Sequence, residues 1–160
     1  MSRFKKSGSQ ILITLADYEE AVLESMVEQL IELLEGDGVR PATDDPFAQW
    51  EADMAEPNGL DTSDPVIARL FPPAYRDDPK ADQEFRRFTE TAQRRTRIEQ
   101  ANTVLSALME TNAGRDPVLV RRIEAEAWLK TIAAIRLSLS VRLGIETADD
   151  LEALEQLDDD

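Results

Sequence analysis

Carboxylates are the side chains of this chain best able to do chemistry, because its 160 residues include 33 Asp and Glu but no Cys and no His. The absence of thiols and imidazoles excludes cysteine nucleophiles, histidine bases and zinc fingers. The adjacent acid pairs, Asp44–Asp45, Asp77–Asp78 and Asp149–Asp150, lie in predicted loops or helix starts, where acids act as caps. No glycine-rich phosphate loop, calcium-loop pattern or nucleophile motif is present. We therefore expect a non-enzymatic protein with no cofactor and no metal site.

The basic residues concentrate on one predicted helix, which carries Arg86, Arg87, Arg94, Arg95 and Arg97. One interpretation is a partner-binding surface. The other is a solvated helix face, because nearby glutamates lie within pairing distance along the helix. The net charge of −15 opposes general attraction to phosphate backbones, so direct nucleic-acid binding is not expected and a protein partner is favoured.

The longest apolar segment with a helical period runs from Ala125 to Leu143 and predicts the central helix of a bundle. Its apolar stripe comprises Ala125, Trp128, Leu129, Ile132, Ile135, Leu139 and Leu143. We expect Trp128 to be buried. Arg136 interrupts the apolar surface, so it either emerges at the helix edge or, as we favour, pairs with a carboxylate of another element.

Start signals predict three more helices. Asp17 is expected to cap a helix that ends at Gly36, with Glu20 completing a capping box. Asp64 and Asp78, each followed by proline, are expected to cap a short helix and a long one that runs to about Thr111. The apolar periods of the long helix are out of phase around 94–97, which predicts a bend or a change of packing partner there.

Two short β-branched segments predict a minor β element. Ile11 to Leu15 is expected to form a buried strand. Val118 to Val120 follows Asp116 and Pro117, which could instead start a helix, but we favour a second strand paired with the first because pairing would satisfy both backbones.

The predicted fold is mainly α, a single-domain helical bundle over 1–157 with a minor two-stranded β element. An acidic loop at 36–64 lies inside the domain, where Phe47, Trp50 and Met54 could form helical turns that pin the loop to the core. Thr147 and Asp150 predict a capping box for a last short helix, and 158–160 an acidic tail. No signal peptide or membrane-spanning run is found, so we expect a cytoplasmic protein.

Two segments, Asp64 to Glu90 and Ala125 to Ile145, resemble an actinobacterial domain-of-unknown-function family whose named branch is the oxidative-stress transcriptional regulator AosR. The residues that carry the resemblance are Asp64, Pro65, Leu70, Phe71, Pro72, Ala74, Tyr75, Asp77, Asp78, Phe85, Arg86, Arg87, Trp128, Leu129, Arg136, Leu137, Arg142, Leu143 and Gly144.

The resemblance implies a regulatory protein that binds a component of the transcription machinery, a sigma factor or a polymerase component. The named regulator responds to oxidation through cysteines, and this chain has none, so cysteine redox sensing is not expected here. The family's genes tend to lie near that of a Clp protease adaptor, which implies an alternative role as an adaptor in regulated proteolysis. A homodimer is left open.

Overall fold

The computed structural model describes residues 3–36, 44–48, 64–72 and 77–157, although the side chains at 83, 86–88, 154 and 157 lie outside the described part. The strands are β1 (Phe4–Ser7), β2 (Gln10–Ile13) and β3 (Val118–Arg121). The helices are α1 (Asp17–Glu35), α2 (Pro65–Leu70), α3 (Pro79–Met109), α4 (Ala125–Arg142) and α5 (Ala148–Leu157), with a short 3-10 helix at Arg122–Glu124. The predicted class, mainly α with a minor β element, is confirmed.

The β element is an antiparallel sheet in the order β1-β2-β3, so it has one strand more than predicted. The favoured pairing is confirmed, because Ile11 lies opposite Val120 and Ile13 opposite Val118. The additional strand β1 forms a hairpin with β2, with Ser7 opposite Gln10. All four residues of β1 are exposed, so this strand lacks the alternation of apolar and polar residues that reveals a half-buried strand.

The N-cap of helix α1 lies one residue earlier than predicted. The N-cap is Ala16, whose backbone N–H donates to the Glu19 carboxylate at 3.0 Å. This hydrogen bond, with the neighbouring Arg3 guanidinium, holds the pKa of Glu19 below its usual value. Glu20 is therefore not part of the cap; it is buried and accepts a hydrogen bond from the Thr111 hydroxyl, which lies just beyond α3.

Helix α3 runs without a break from Pro79 to Met109 and places one stripe of residues inward. The stripe comprises Glu90, Arg94, Arg97, Ala101, Val104 and Leu108, of which all but the half-buried Arg97 are buried. The spacing alternates between four and three, as expected for one helix face. The apolar periods appeared out of phase because charged residues occupy the inward positions in the first half of this stripe.

Helix α4 packs against α1, α2 and α3, as expected of the predicted core helix. Trp128 is buried, which confirms the prediction. The prediction for Leu129 was wrong, because its side chain is 73% exposed. Arg136 lies on the surface, as in the first of the two alternatives. Among the described residues, no carboxylate oxygen lies within 4.0 Å of Arg136, so the favoured ion pair is not seen with any of them. One side of α4 therefore faces solvent.

The predicted 36–64 loop is largely outside the described residues, as are Trp50 and Met54. Phe47 lies in a helical turn at 46–48 and is 68% exposed, so its ring is not buried in the core as the pinning hypothesis required. Within the described part of the chain, no helix is long and apolar enough to cross a membrane.

The capping box before α5 is confirmed. The Asp150 carboxylate accepts hydrogen bonds from the backbone N–H groups of Glu146 and Thr147, at 3.0 and 2.9 Å, and from the Thr147 hydroxyl at 3.0 Å. These bonds favour the ionised carboxylate and lower the pKa of Asp150, the backbone donors most strongly.

A substitution of Gly114 by Ala should destabilise the fold more than the same substitution of Gly144. Both residues have positive φ, +78° and +68°, but a Cβ at Gly114 would lie 2.9 Å from the Asp17 and Glu20 carboxylate oxygens, whereas one at Gly144 would meet nothing within 4 Å. We expect a loss of about 2–3 kcal/mol for Gly114→Ala and about 1 kcal/mol for Gly144→Ala, measured by urea unfolding. Equal losses would contradict the close approach.

The Asp150 cap should disappear in acid. Because the pKa of Asp150 is lowered in the folded state, its stabilisation is present above the unfolded pKa of about 3.9 and is lost as the pH falls through the folded value. NMR titration should show α5 amide shifts following the Asp150 carboxyl signal, and Thr147→Ala, which removes one donor, should raise that midpoint. An unchanged midpoint in the variant would show that the hydroxyl does not stabilise the carboxylate.

Candidate binding groove

The predicted partner-binding arginines do not form one exposed surface. Arg94 and Arg97, three residues apart on α3, both belong to the inward stripe, and Arg95 is partly buried. The side chains of Arg86 and Arg87 lie outside the described residues. The described arginines of this set therefore lie in different environments.

Arg94 caps the C-terminal end of α1. Its side chain is 4% exposed; Nε donates to the Leu34 carbonyl oxygen and Nη2 to that of Glu35, both at 3.0 Å. The last carbonyls of a helix have no partner within the helix, and they lie at the negative end of its dipole. Because α1 has no basic residue in its own last turn, Arg94 supplies the cation from α3. The guanidinium of Arg94, which was predicted to bind a partner, is therefore buried and bonded within the chain.

Arg97 lies in an open groove of about 640 Å³ formed by the end of α2, the first half of α3 and the start of α4. Its guanidinium carbon lies 5.2 Å from the centre of the Phe71 ring, a cation–π arrangement, and Nη2 donates to the Leu70 carbonyl oxygen at 3.4 Å. Phe71 itself is buried. The floor of the groove is thus an aromatic ring with a half-buried cation stacked on it.

The groove is lined by two cations and two carboxylates, and Arg97 is the cation whose charge is least compensated by its surroundings. Burial lowers the pKa of Arg97, which means that its charge has lost water without full compensation. Among the described residues, no carboxylate oxygen lies within 4.0 Å of its guanidinium, even though Glu90 and Glu126 also line the groove. A second cation, the exposed Lys130, lies on the α4 side. A carboxylate brought to Arg97 would provide the missing counter-ion.

The walls of the groove offer apolar surface and few free hydroxyls. Phe85 is 41% exposed and, with Leu70, provides the apolar lining. The hydroxyls of Thr89 and Thr96 donate to the carbonyl oxygens of Phe85 and Ala92 in their own helix, at 2.9 and 3.0 Å. The groove is therefore suited to a ligand that combines an apolar side chain with a carboxylate.

The family-motif residues fall into several places. Asp64 caps α2 by accepting from the Val66 N–H at 2.8 Å, and Pro65 fills the first helical position. This start positions Phe71 and Pro72, which line the groove. The other family-motif residues lie away from the groove or outside the described residues. Arg142 is exposed and donates to the Gln29 side-chain oxygen at 3.3 Å. Trp128 is buried and Arg136 exposed, as described above, and Tyr75 lies outside the described residues.

Within the described residues, no group of three or more acids is placed to hold a metal ion.

Sequence reasoning included Arg97 but missed its stacking on Phe71 and the contribution of Lys130. Leu70 and Arg97 are 27 residues apart, and no local pattern links them. The Leu-Phe-Pro sequence at the end of α2 predicted a helix end and carried part of the family resemblance, but it did not indicate a groove. Lys130 carried no signal, since a lysine on an exposed helix position is ordinary.

Replacement of Arg94 by Met should unfold the protein at lower denaturant concentration. Loss of two charge-assisted hydrogen bonds leaves the Leu34 and Glu35 carbonyls without these donors, at a cost of about 2–4 kcal/mol in the free energy of unfolding. Arg136→Met, at an exposed position, is the matched control and should change it by less than about 0.5 kcal/mol. Equal effects, measured by guanidinium denaturation, would contradict the capping role.

Comparison with known proteins identifies the family of this chain but does not assign it an activity. No curated protein matches the chain, and no solved structure matches it. A family model described as a domain of unknown function, DUF2017, matches residues 1–160. Because this match spans the whole sequence, the chain belongs to the DUF2017 family.

Proposed function

We propose that this chain is a non-enzymatic regulatory domain that binds a protein of the transcription machinery, a sigma factor or a polymerase subunit, through the groove beside Arg97. The observation that carries the proposal is the half-buried Arg97 guanidinium, stacked on Phe71 in an open groove and without a carboxylate neighbour among the described residues. The transcription context rests on the resemblance to the branch that contains AosR.

The chemistry of the groove favours a protein segment over nucleic acid. A carboxylate can meet the planar guanidinium with two hydrogen bonds while an adjacent apolar side chain packs against Phe85. A phosphate backbone would also satisfy Arg97, but the net charge of −15 repels a polyanion much longer than the groove. The partner segment is therefore expected to carry one or two acids beside an apolar residue.

Regulation in this proposal does not use thiol chemistry, because the chain has no cysteine. The signal would reach the protein through the availability of its partner, and occupation of the groove would be the regulated event. This distinguishes the chain from the named regulator, for which cysteine oxidation is the expected signal.

The test is affinity capture from native lysate with the full chain and three variants. Arg97→Gln and Lys130→Gln should each lose most of the captured sigma factor or polymerase subunit, since each removes a cation of the groove. Arg136→Gln removes an exposed cation outside the groove and should capture as much as the wild type.

Lys130 is exposed, so Lys130→Gln should leave the fold intact. A loss of capture by this variant would therefore report a loss of binding and not a loss of folding. Capture of Clp protease subunits without any transcription protein would contradict the proposal and support the adaptor role. Equal capture of a sigma factor by all four proteins would place the binding surface outside the groove.

A further inference from the structure

The three strands contain basic residues and no acid, although the chain as a whole is strongly acidic. The sequences 3–16 and 117–123, which include the strands, have no Asp or Glu. The same two segments carry five exposed cations, Arg3, Lys5, Lys6, Arg121 and Arg122. The sheet is therefore a basic region on a protein with a net charge of −15.

The outer face of the sheet has an apolar centre. The buried valines of β3 face the core, so the residues that alternate with them lie on the outer face. In the register of the sheet, Lys5 lies opposite Leu12, and Leu12 lies opposite Leu119, so these three residues share the outer face. Arg3 and Arg121 lie on the same face by alternation. Both leucines are partly exposed.

The cations around the two leucines are only partly compensated. Arg3 pairs with Glu19 at 2.7 Å, and Arg121 lies 4.0 Å from Glu124, yet the two arginine side chains remain 65% and 57% exposed. Among the described residues, no carboxylate oxygen lies within 4.0 Å of Lys5. An apolar centre with a charged rim is the usual organisation of a protein–protein interface.

The outward side of α1 carries the opposite charge. The helix has no basic residue, and its exposed residues include Tyr18 and Val22, at 70% and 50% exposure, together with Glu28 and Glu32. Among the described residues, no Lys or Arg nitrogen lies within 4.0 Å of either glutamate carboxylate. The Arg142 guanidinium reaches this helix but donates to a glutamine side chain. This side of α1 therefore combines apolar surface with uncompensated acids.

The outer sheet face and α1 adjoin one another. Strand β2 ends at Ile13 and α1 begins at Asp17, and Arg3 of the sheet face bonds to Glu19 in the first turn of the helix. Together they form one surface with a basic half and an acidic half, each with its own apolar residues. Such a surface is complementary to itself, because a two-fold rotation places the basic half of one copy on the acidic half of another.

We propose that this surface is the interface of a homodimer, in which the outer sheet face of each copy covers α1 of the other. The contact packs Leu12 and Leu119 against apolar residues of α1 and places Lys5 and Arg121 among its carboxylates. The two copies repel each other at long range, but at an ionic strength of about 0.15 M, charges more than about 8 Å apart are largely screened, so the short contacts decide the balance. This dimer does not involve the groove beside Arg97 and is independent of the proposed function.

The experiment is sedimentation equilibrium of the full chain at that ionic strength over a wide concentration range. The wild type should approach twice the monomer mass of 18.0 kDa. Lys5→Glu alters the basic half and Glu28→Lys the acidic half, and each should raise the dissociation constant of the dimer by about tenfold or more, because like charges then face each other. Glu28→Lys is the sharper test, since it makes the chain less acidic and so reduces the general repulsion.

The matched controls are Arg136→Glu and Glu99→Lys, which make the same charge changes at exposed positions outside both halves. Both should dimerise nearly as the wild type does. Far-UV circular dichroism checks that every variant is folded. A monomeric wild type overturns the proposal, as does a dimer that both interface substitutions leave intact, or one that the controls weaken equally.

Mixing the two interface variants tests the pairing of sheet with helix. The Glu28→Lys copy retains the wild-type sheet face and the Lys5→Glu copy the wild-type α1, so one contact of the heterodimer is unaltered and the other has both charges exchanged. A heterodimer should therefore form at concentrations at which each variant alone is monomeric. A mixture that stays monomeric there overturns the pairing.

Discussion

The contact between the Arg94 guanidinium and the last carbonyls of α1 is the constraint on which the arrangement of the helices depends. It joins two elements that are 60 residues apart in sequence, and it satisfies backbone groups that no residue of α1 could satisfy. A buried arginine is acceptable there because two of its nitrogens meet oxygen acceptors at the negative end of a helix dipole. Once Arg94 faces α1, the rotation of α3 about its axis is set.

That rotation determines where the hydrophobic core ends and the groove begins. The same stripe that carries Arg94 continues through Ala101, Val104 and Leu108, all fully buried, so the second half of α3 belongs to the core. Toward the N-terminus, the stripe carries Glu90 in place of an apolar residue. Arg97, one turn after Arg94, lies at this transition, where the end of α2 supplies an aromatic ring and no counter-ion within the described residues. The groove is therefore a consequence of charged residues at positions that a core would fill with apolar ones.

Local signals were sufficient for most element boundaries, because caps and turns depend on residues a few positions apart. Asp64, Asp78 and Asp150 were predicted as caps and accept the expected backbone hydrogen bonds. Errors arose where tertiary contacts decide the outcome. Glu20 looked like a cap residue and instead pairs with Thr111, 91 residues away, and Leu129 fits the apolar period yet faces solvent. Strand β1 was missed because all its residues are exposed and it is recognisable only from its pairing with β2.

The candidate site was only partly predictable for the same reason. The arginine cluster was visible in the sequence, but its division into a structural Arg94 and a groove-lining Arg97 depends on what α1 and α2 place opposite each residue. Two arginines three positions apart thus have different roles. Arg94 stabilises the C-terminal end of α1. Arg97 is half-buried and stacks on the Phe71 ring. Arg97, and not Arg94, is therefore the arginine that we propose accepts an acidic segment.

The most direct measurement follows the arginine side-chain Nε–Hε signals of the full chain by NMR as a synthetic peptide that carries two acids beside a leucine is added. The Arg97 signal should shift and saturate while the Arg94 signal stays in place. An Arg97 signal that does not respond, or an Arg94 signal that moves with it, would contradict the assignment of the groove as a binding site for acidic segments.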